Sequence, residues 1–246
     1  MHLSTFLTTL LPLISLASAR YTNKTTNSLG PLTSTSTKWA TKVCSVTAYG
    51  AKADNATDLG PALLSAFSAC KSGGVVNIPS GTYAMTTFVT LSGGQAWALN
   101  LEGTIFRLGG KSSGNMIAIE NSTDFEFYSG NGRGAMQGFG YQYHSQGKGI
   151  YGPRLLRLTN VTSFAVHDVA LVDSPAFHLV LAKCSKGEVY NMIIYGGNEG
   201  GLDALDVWGE NIWIHDIEVS HECPRHHHTK REALTEQRRP ATAMNV

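Results

Sequence analysis

Asp203 and Asp206 stand three residues apart, between a glycine-rich run from Gly196 to Gly201 and a turn at Trp208–Gly209. Acidic side chains in an open, glycine-lined bed suit acid/base hydrolysis of a sugar chain, because two close carboxyls repel and one then keeps its proton. Residues three apart on a regular strand point to opposite faces, so both serve one site only if the chain bends between them. Trp208 follows the acids directly and is the candidate for stacking on a sugar ring. Trp213 is a second, and either indole could instead fill the interior of the fold or cover its outer face.

The elements that must hold these residues are short strands. Val189 to Ile194 and Ile212 to Val219 flank the acidic run with β-rich alternation. The pattern repeats: Phe164 to Val169 can be laid over Glu188 to Met192 and Ile212 to Ile217, with Val166, Val189 and Ile214 separated by 23 and 25 residues. Two places after each comes Asp168, Asn191 or Asp216, and Phe125 to Ser129 is an earlier copy. One strand and one Asn/Asp corner per unit predict an all-β chain, a right-handed parallel β-helix. The evenly spaced strands of a β-sandwich are the competing reading. In a β-helix, Asp168 and Asp216 are corner residues bonding backbone amides, and that role competes with catalysis at Asp206.

An N-terminal capping helix is expected ahead of the coils. Thr57 or Asp58 is a plausible N-cap, Pro61 lies in the first turn, and Ala62, Leu63, Ala66, Phe67 and Cys70 follow at helical spacing up to Gly73–Gly74. Such a helix covers the open end of a solenoid, where apolar interior and strand edges are otherwise bare. Val43 to Tyr49 reads as a strand, and residues 43–220 as one incomplete β-helix domain. Residues 20–42, rich in Ser, Thr and Asn, read as a flexible leader. Residues 1–19 read as a secretory signal peptide, with an apolar run to Leu16 that is too short to span a bilayer and a small-residue end at Ala17 to Ala19. Residues 221–246 hold four of the nine histidines and no aromatic residue, and read as an aberrant tail outside the fold. His226, His227 and His228 in such a tail make a loose chelate, so neither metal nor cofactor is expected.

A net charge of +1 gives no case for a nucleic-acid or membrane partner. The chain reads as a secreted, extracellular monomer. Sequons at Asn23, Asn55, Asn121 and Asn160 agree with a glycoprotein behind a signal peptide. Cys44 and Cys70 can close a loop in an oxidising compartment, worth roughly 3–4 kcal/mol in the loop-entropy model. Cys184 reads as a buried thiol, and Cys223 has no evident partner.

Tyr49 to Asp54, Thr57–Asp58, Gly73 to Val76 and Ile78 to Tyr83 resemble the N-terminal cap of pectin-degrading β-helix enzymes. The run from Asn198 to Ile217 resembles the fungal rhamnogalacturonan hydrolases of glycoside hydrolase family 28. Their polygalacturonase relatives carry Asn-Thr-Asp where this chain has Gly201, Leu202 and Asp203, and the likeness runs from about Val43 to Val219. The resemblance implies inverting hydrolysis of galacturonic acid–rhamnose linkages in pectic polysaccharide, with carboxyls roughly 6.5–9.5 Å apart across the bond. It implies Asp203 as a water-activating carboxylate, Asp206 as a neighbour that tunes or positions it, and an acidic pair on the next coil. There the chain has His221 at the proton-donor position and Glu222 at the second. An imidazolium with a reference pKa near ~6.5 is a poor copy of a carboxylic acid. The family's fold continues for several coils, which implies a C-terminally truncated chain with little or no cleavage of its own.

The competing functions are a polygalacturonase and a non-catalytic β-helix protein that binds cell-wall carbohydrate. A pectate lyase calls for calcium-binding carboxylates beside an arginine base, and no Arg or Lys lies between residues 196 and 220.

Overall fold

The computed structural model describes residues 28–110, 113–146, 152–196 and 203–221. In chain order they form α1 (Thr35–Thr41), β1 (Val43–Ser45), α2 (Leu59–Cys70), β2 (Val75–Ile78), β3 (Thr82–Met85), β4 (Val89–Ser92), β5 (Gln95–Leu101) and β6 (Thr104–Arg107). There follow β7 (Asn115–Tyr128), β8 (Ala135–Gln137), the single turn α3 (Tyr141–His144), β9 (Arg154–His167), β10 (Ala170–Val172), β11 (Leu179–Tyr190), β12 (Met192–Gly196), β13 (Leu205–Ile214) and β14 (Ile217–His221). The strand expected over Val43 to Tyr49 is shorter, because Val46–Tyr49 closes into a 3-10 turn ended by Gly50 at a φ of 99°.

One sheet runs β1-β2-β5-β7-β9-β11-β13 with β4 also on β7, and the other runs β3-β6-β8-β10-β12-β14. The pairings are parallel throughout these ladders. Parallel strands joined by crossovers wind right-handed, and the coils form a right-handed parallel β-helix. The long strands turn corners without losing their pairing. Left-handed backbone at Asn121 and Asp124 in β7, at Asn160 and Ser163 in β9, and at Lys183 and Lys186 in β11 bends each across two sides of its coil. Asp168, Asn191 and Asp216 hold φ values of 57°, 49° and 50° at the next corner. Asn and Asp tolerate that conformation better than other residues with a Cβ, which is why the repeat shows in the sequence. The supposed partners of Asp168 and Asp216 differ, however. Their carboxylates take the Nδ1 of His167 and His215 at 2.6 and 2.8 Å rather than backbone amides.

Inside, residues in register stack coil on coil. Leu99, Phe127, Val166, Val189 and Ile214 form one ladder, and Trp97, Phe125, Phe164, Gly187 and Ile212 another. The second has a glycine because the Phe164 ring fills the space: a Cβ on Gly187 would lie 2.2 Å from Phe164 Cζ.

The capping helix α2 begins at Asp58, whose carboxylate accepts from the Gly60, Thr86 and Thr87 amides. Burial works against those bonds, yet they hold Asp58 at a pKa of about 2. Leu59, Leu63, Ala66 and Phe67 are buried, and the Phe67 ring meets Trp97 edge-on at 4.8 Å. The Cys44–Cys70 disulfide ties β1 to the end of α2, and Cys184 is a buried free thiol.

The flexible-leader expectation for residues 20–42 is corrected over its described part. Ser34 caps α1, Leu32 and Thr33 donate to Asp124, and Thr35 donates to Glu126. Lys38 is fully buried, 3.6 Å from Asp124 and 3.8 Å from Glu126. Trp39 Nε1 donates to Tyr128 Oη at 2.6 Å. The Ser/Thr richness that reads as a leader is a row of hydroxyls and amides matched to two carboxylates of β7. The signal peptide, Asn23 and the tail beyond His221, with its other histidines and Cys223, lie outside the described residues, while the backbone of His221 itself ends β14.

Candidate active site

Strand alternation sets which side chains the β-helix shows to solvent. Leu91, Ile119, Leu158, Leu181 and Val207 point inward along one ladder. Their neighbours therefore point outward. Two outward ladders result: Thr90, Ala118, Arg157, Val180 and Asp206, then Ser92, Glu120, Thr159, Ala182 and Trp208. Asp206 and Trp208 thus share a face, and Trp208 is 61 % exposed. Trp213 lies around the corner of the same strand, its ring 3.8 Å from His215.

Asp203 precedes β13, with a bend at Ala204 between it and the strand. That bend lets two residues three apart meet: the Asp203 and Asp206 carboxyls share a hydrogen bond. Burial, then the hydrogen bond and charge of Asp203, raise the pKa of Asp206, while Arg154 pulls it the other way. Among the described residues no donor reaches the buried Oδ2 of Asp206. Like-charge repulsion from Asp203 adds to burial in favouring the neutral form of Asp206. The corner-residue alternative for Asp206 fails on position, because Asp206 lies within a strand leg and the corner of β13 is at Asn211, φ 56°.

Three residues near the pair were not singled out from the sequence. Arg154 lies over the Phe177 ring at 5.4 Å and acts on Asp206, so the absence of basic residues between 196 and 220 does not carry into space. Arg157 stands on the Asp206 ladder two coils away. Its outward direction could have been read from the inward Leu156 and Leu158 beside it. His178 is 1 % exposed and touches the Asp203 backbone, and no local pattern announces it.

Glu222 lies outside the described residues, and His221 is described only as the last residue of β14. Among the described residues no three His, Cys, Asp or Glu side chains gather as a metal site. Asn55, Asn121 and Asn160 are exposed, the last two stacked on adjacent coils with Asn160 Nδ2 donating to Asn121 Oδ1 at 2.8 Å.

No protein-family model matches the chain. It is 63 % identical over 198 residues to rhamnogalacturonase A of Aspergillus aculeatus, a match covering 80 % of this chain and 44 % of that protein. It is 57 % identical over 217 residues to rhamnogalacturonase A of Aspergillus niger, covering 87 % and 48 %. The chain thus spans less than half the length of these curated relatives. Among solved structures it is similar to an endo-xylogalacturonan hydrolase from Aspergillus tubingensis, with TM-score 0.63 and 19 % identity, covering 72 % of this chain and 51 % of the other. A hyperthermoactive exopolygalacturonase from Thermotoga maritima matches with TM-score 0.60 and 13 % identity, covering 81 % and 57 %. At such identities the structures speak for the fold alone.

Proposed function

We propose that this chain, which belongs to the rhamnogalacturonases of glycoside hydrolase family 28, presents the water-activating half of an inverting glycosidase site. Its substrate is a pectic polysaccharide with galacturonic acid–rhamnose linkages, met outside the cell by a secreted monomer. The observation that carries the reading is the hydrogen-bonded Asp203–Asp206 pair on an outward sheet face beside an exposed Trp208.

The chemistry follows from the closeness of the pair. Carboxyls in hydrogen-bond contact are far nearer than the roughly 6.5–9.5 Å that an inverting acid and base keep across the scissile bond. Asp203 and Asp206 therefore stand on the same side of that bond. Asp203, solvent-exposed, takes the proton of the attacking water, and Asp206 beside it tunes and positions it. The leaving oxygen must be protonated from the other side, a role that the family resemblance assigns to the sequence position of His221, next to Glu222. Arg154 and Arg157 supply positive charge to a uronate, and Trp208 an apolar face to a sugar ring. Support for secretion is indirect: the apolar N-terminal run, the exposed sequons and the Cys44–Cys70 disulfide all suit an oxidising route.

The test is reducing-end release from rhamnogalacturonan by the chain, by Asp203→Asn and by Asp206→Asn. Release that falls about 100-fold or more in both variants supports the assignment. Release unchanged in Asp203→Asn removes the site. Retention on a rhamnogalacturonan column with no release by any form identifies a binding protein instead.

A further inference from the structure

His178 reaches three backbone segments with one ring. Its Nδ1 lies 3.2 Å from the Asp203 carbonyl oxygen, and its own amide donates to that same oxygen at 3.2 Å. Its Nε2 lies 3.3 Å from the Ser174 amide nitrogen and 3.3 Å from the Tyr195 carbonyl oxygen. One neutral tautomer fits: Nδ1–H donates to Asp203, bare Nε2 accepts from Ser174, and the Tyr195 carbonyl takes its hydrogen bond from the Asp173 amide at 2.6 Å instead. The Ser174 hydroxyl donates to the Phe177 carbonyl at 2.8 Å, which closes the turn carrying the ring. Tyr195 and Asp203 flank residues 196–202, so the imidazole touches both stems of the glycine-rich run.

Asp203 owes its encounter with Asp206 to the bend at Ala204, and that bend depends on where the 203–204 peptide plane points. Two donors from His178 fix the oxygen of that plane. We propose that His178 is a positioning residue: its Nδ1–H holds the Asp203 backbone so that the Asp203 and Asp206 carboxyls meet. The groups facing the ring are Asp173 and His144, and those facing Asp206 are Asp203 and Arg154. Burial holds the His178 pKa below that of a free imidazole, against the pull of the Asp203 and Tyr195 carbonyls. Any effect on cleavage rests on the function proposed above, but the pairing itself does not.

The experiment therefore reads the pair, not the reaction. Carboxyl 13C resonances of the full chain are titrated, with the Asp206 signal identified by its loss in Asp206→Asn. The wild-type Asp206 midpoint is expected above that of an isolated aspartate. His178→Ala lowers it, because the pair separates and the like-charge repulsion goes with it. His178→Asn keeps it raised, since its amide nitrogen replaces Nδ1 as donor. Folded His178→Ala with an unchanged midpoint overturns the proposal. If His178→Ala does not fold, His178→Asn decides alone, and an ordinary aspartate midpoint there overturns it. Loss of cleavage with the midpoint intact counts against the proposed function, not against the positioning role.

Discussion

His167 on one coil places Nε2 3.2 Å from Glu126 Oε1 on the coil before, while its Nδ1 sits 2.6 Å from Asp168. Two coils on, His215 repeats the arrangement with Glu188 at 3.3 Å and Asp216 at 2.8 Å. The rings interleave with tyrosines: His167 stacks on Tyr128 at 5.5 Å and on Tyr190 at 4.5 Å. These contacts clamp successive coils from outside, on a different side of the coil from the carboxyl pair.

The clamp makes stability depend on pH in a definite direction. Burial favours neutral Glu126, but the His167 hydrogen bond, the Lys38 charge and the Thr35 hydroxyl outweigh it and hold its pKa below the ordinary value. Burial likewise favours neutral His167, and Glu126 and Asp168 outweigh it and raise its pKa. The Glu126 contribution is present above the unfolded-state value and is lost as pH falls through the folded one. The His167 contribution is present below its unfolded-state value and is lost as pH rises through the folded one. Both are present between roughly pH 4.5 and 6.5. Thermal melts across pH are expected to peak there, with Glu126→Gln flattening the acid limb and His167→Ala the alkaline limb. A wild-type melting temperature that keeps rising above pH 8 contradicts the account.

Lys38 is the next point of leverage. Its ammonium is buried against Asp124 and Glu126, so Lys38→Met removes the cation beside Asp124 and leaves Glu126 only its contact with His167. Breaking a buried ion pair from one side costs about 3 kcal/mol or more. Urea unfolding should show that loss, and limited proteolysis should cut within residues 30–42 before it cuts the coils. Equal protease resistance of the variant and wild type would mean that α1 is held by its hydroxyls and Trp39 alone.

Gly187→Ala probes the interior. The added methyl would press on the Phe164 ring, and overpacking of this kind costs about 1–3 kcal/mol. Phe164→Leu in the same chain should recover part of the loss, as a double-mutant cycle would measure. No recovery would place the cost in the backbone rather than in the ring contact.

Trp208→Ala separates binding from folding. The indole is 61 % exposed, so chemical denaturation should shift by no more than about 0.5 kcal/mol. Retention on rhamnogalacturonan should fall roughly five-fold, the loss of about 1 kcal/mol of ring stacking. Unchanged retention would leave Trp208 without a part in substrate contact.

Much of the architecture was legible because it is periodic. An inward position must be apolar in every coil, so Val166, Val189 and Ile214 recur, and a left-handed corner favours Asn or Asp, so Asp168, Asn191 and Asp216 recur with them. Helix α2 was legible from its cap and its apolar face. Helix α1 was not, since its buried residue is Lys38 and its partners are carboxylates 86 or more residues on. No local pattern encodes such a match.

The sequence by itself pointed to the solenoid, its cap, a loop that Cys44 and Cys70 can close and, through the family resemblance, the segment bearing Asp203 and Asp206, because these follow from local spacing and residue type. Only the tertiary structure decided that the two carboxyls meet, that Arg154 faces them and that His178 holds the Asp203 backbone. Coils stack about 4.8 Å apart, so residues far apart in the chain become neighbours. Which of them touch depends on bends and corner angles that residue spacing does not record.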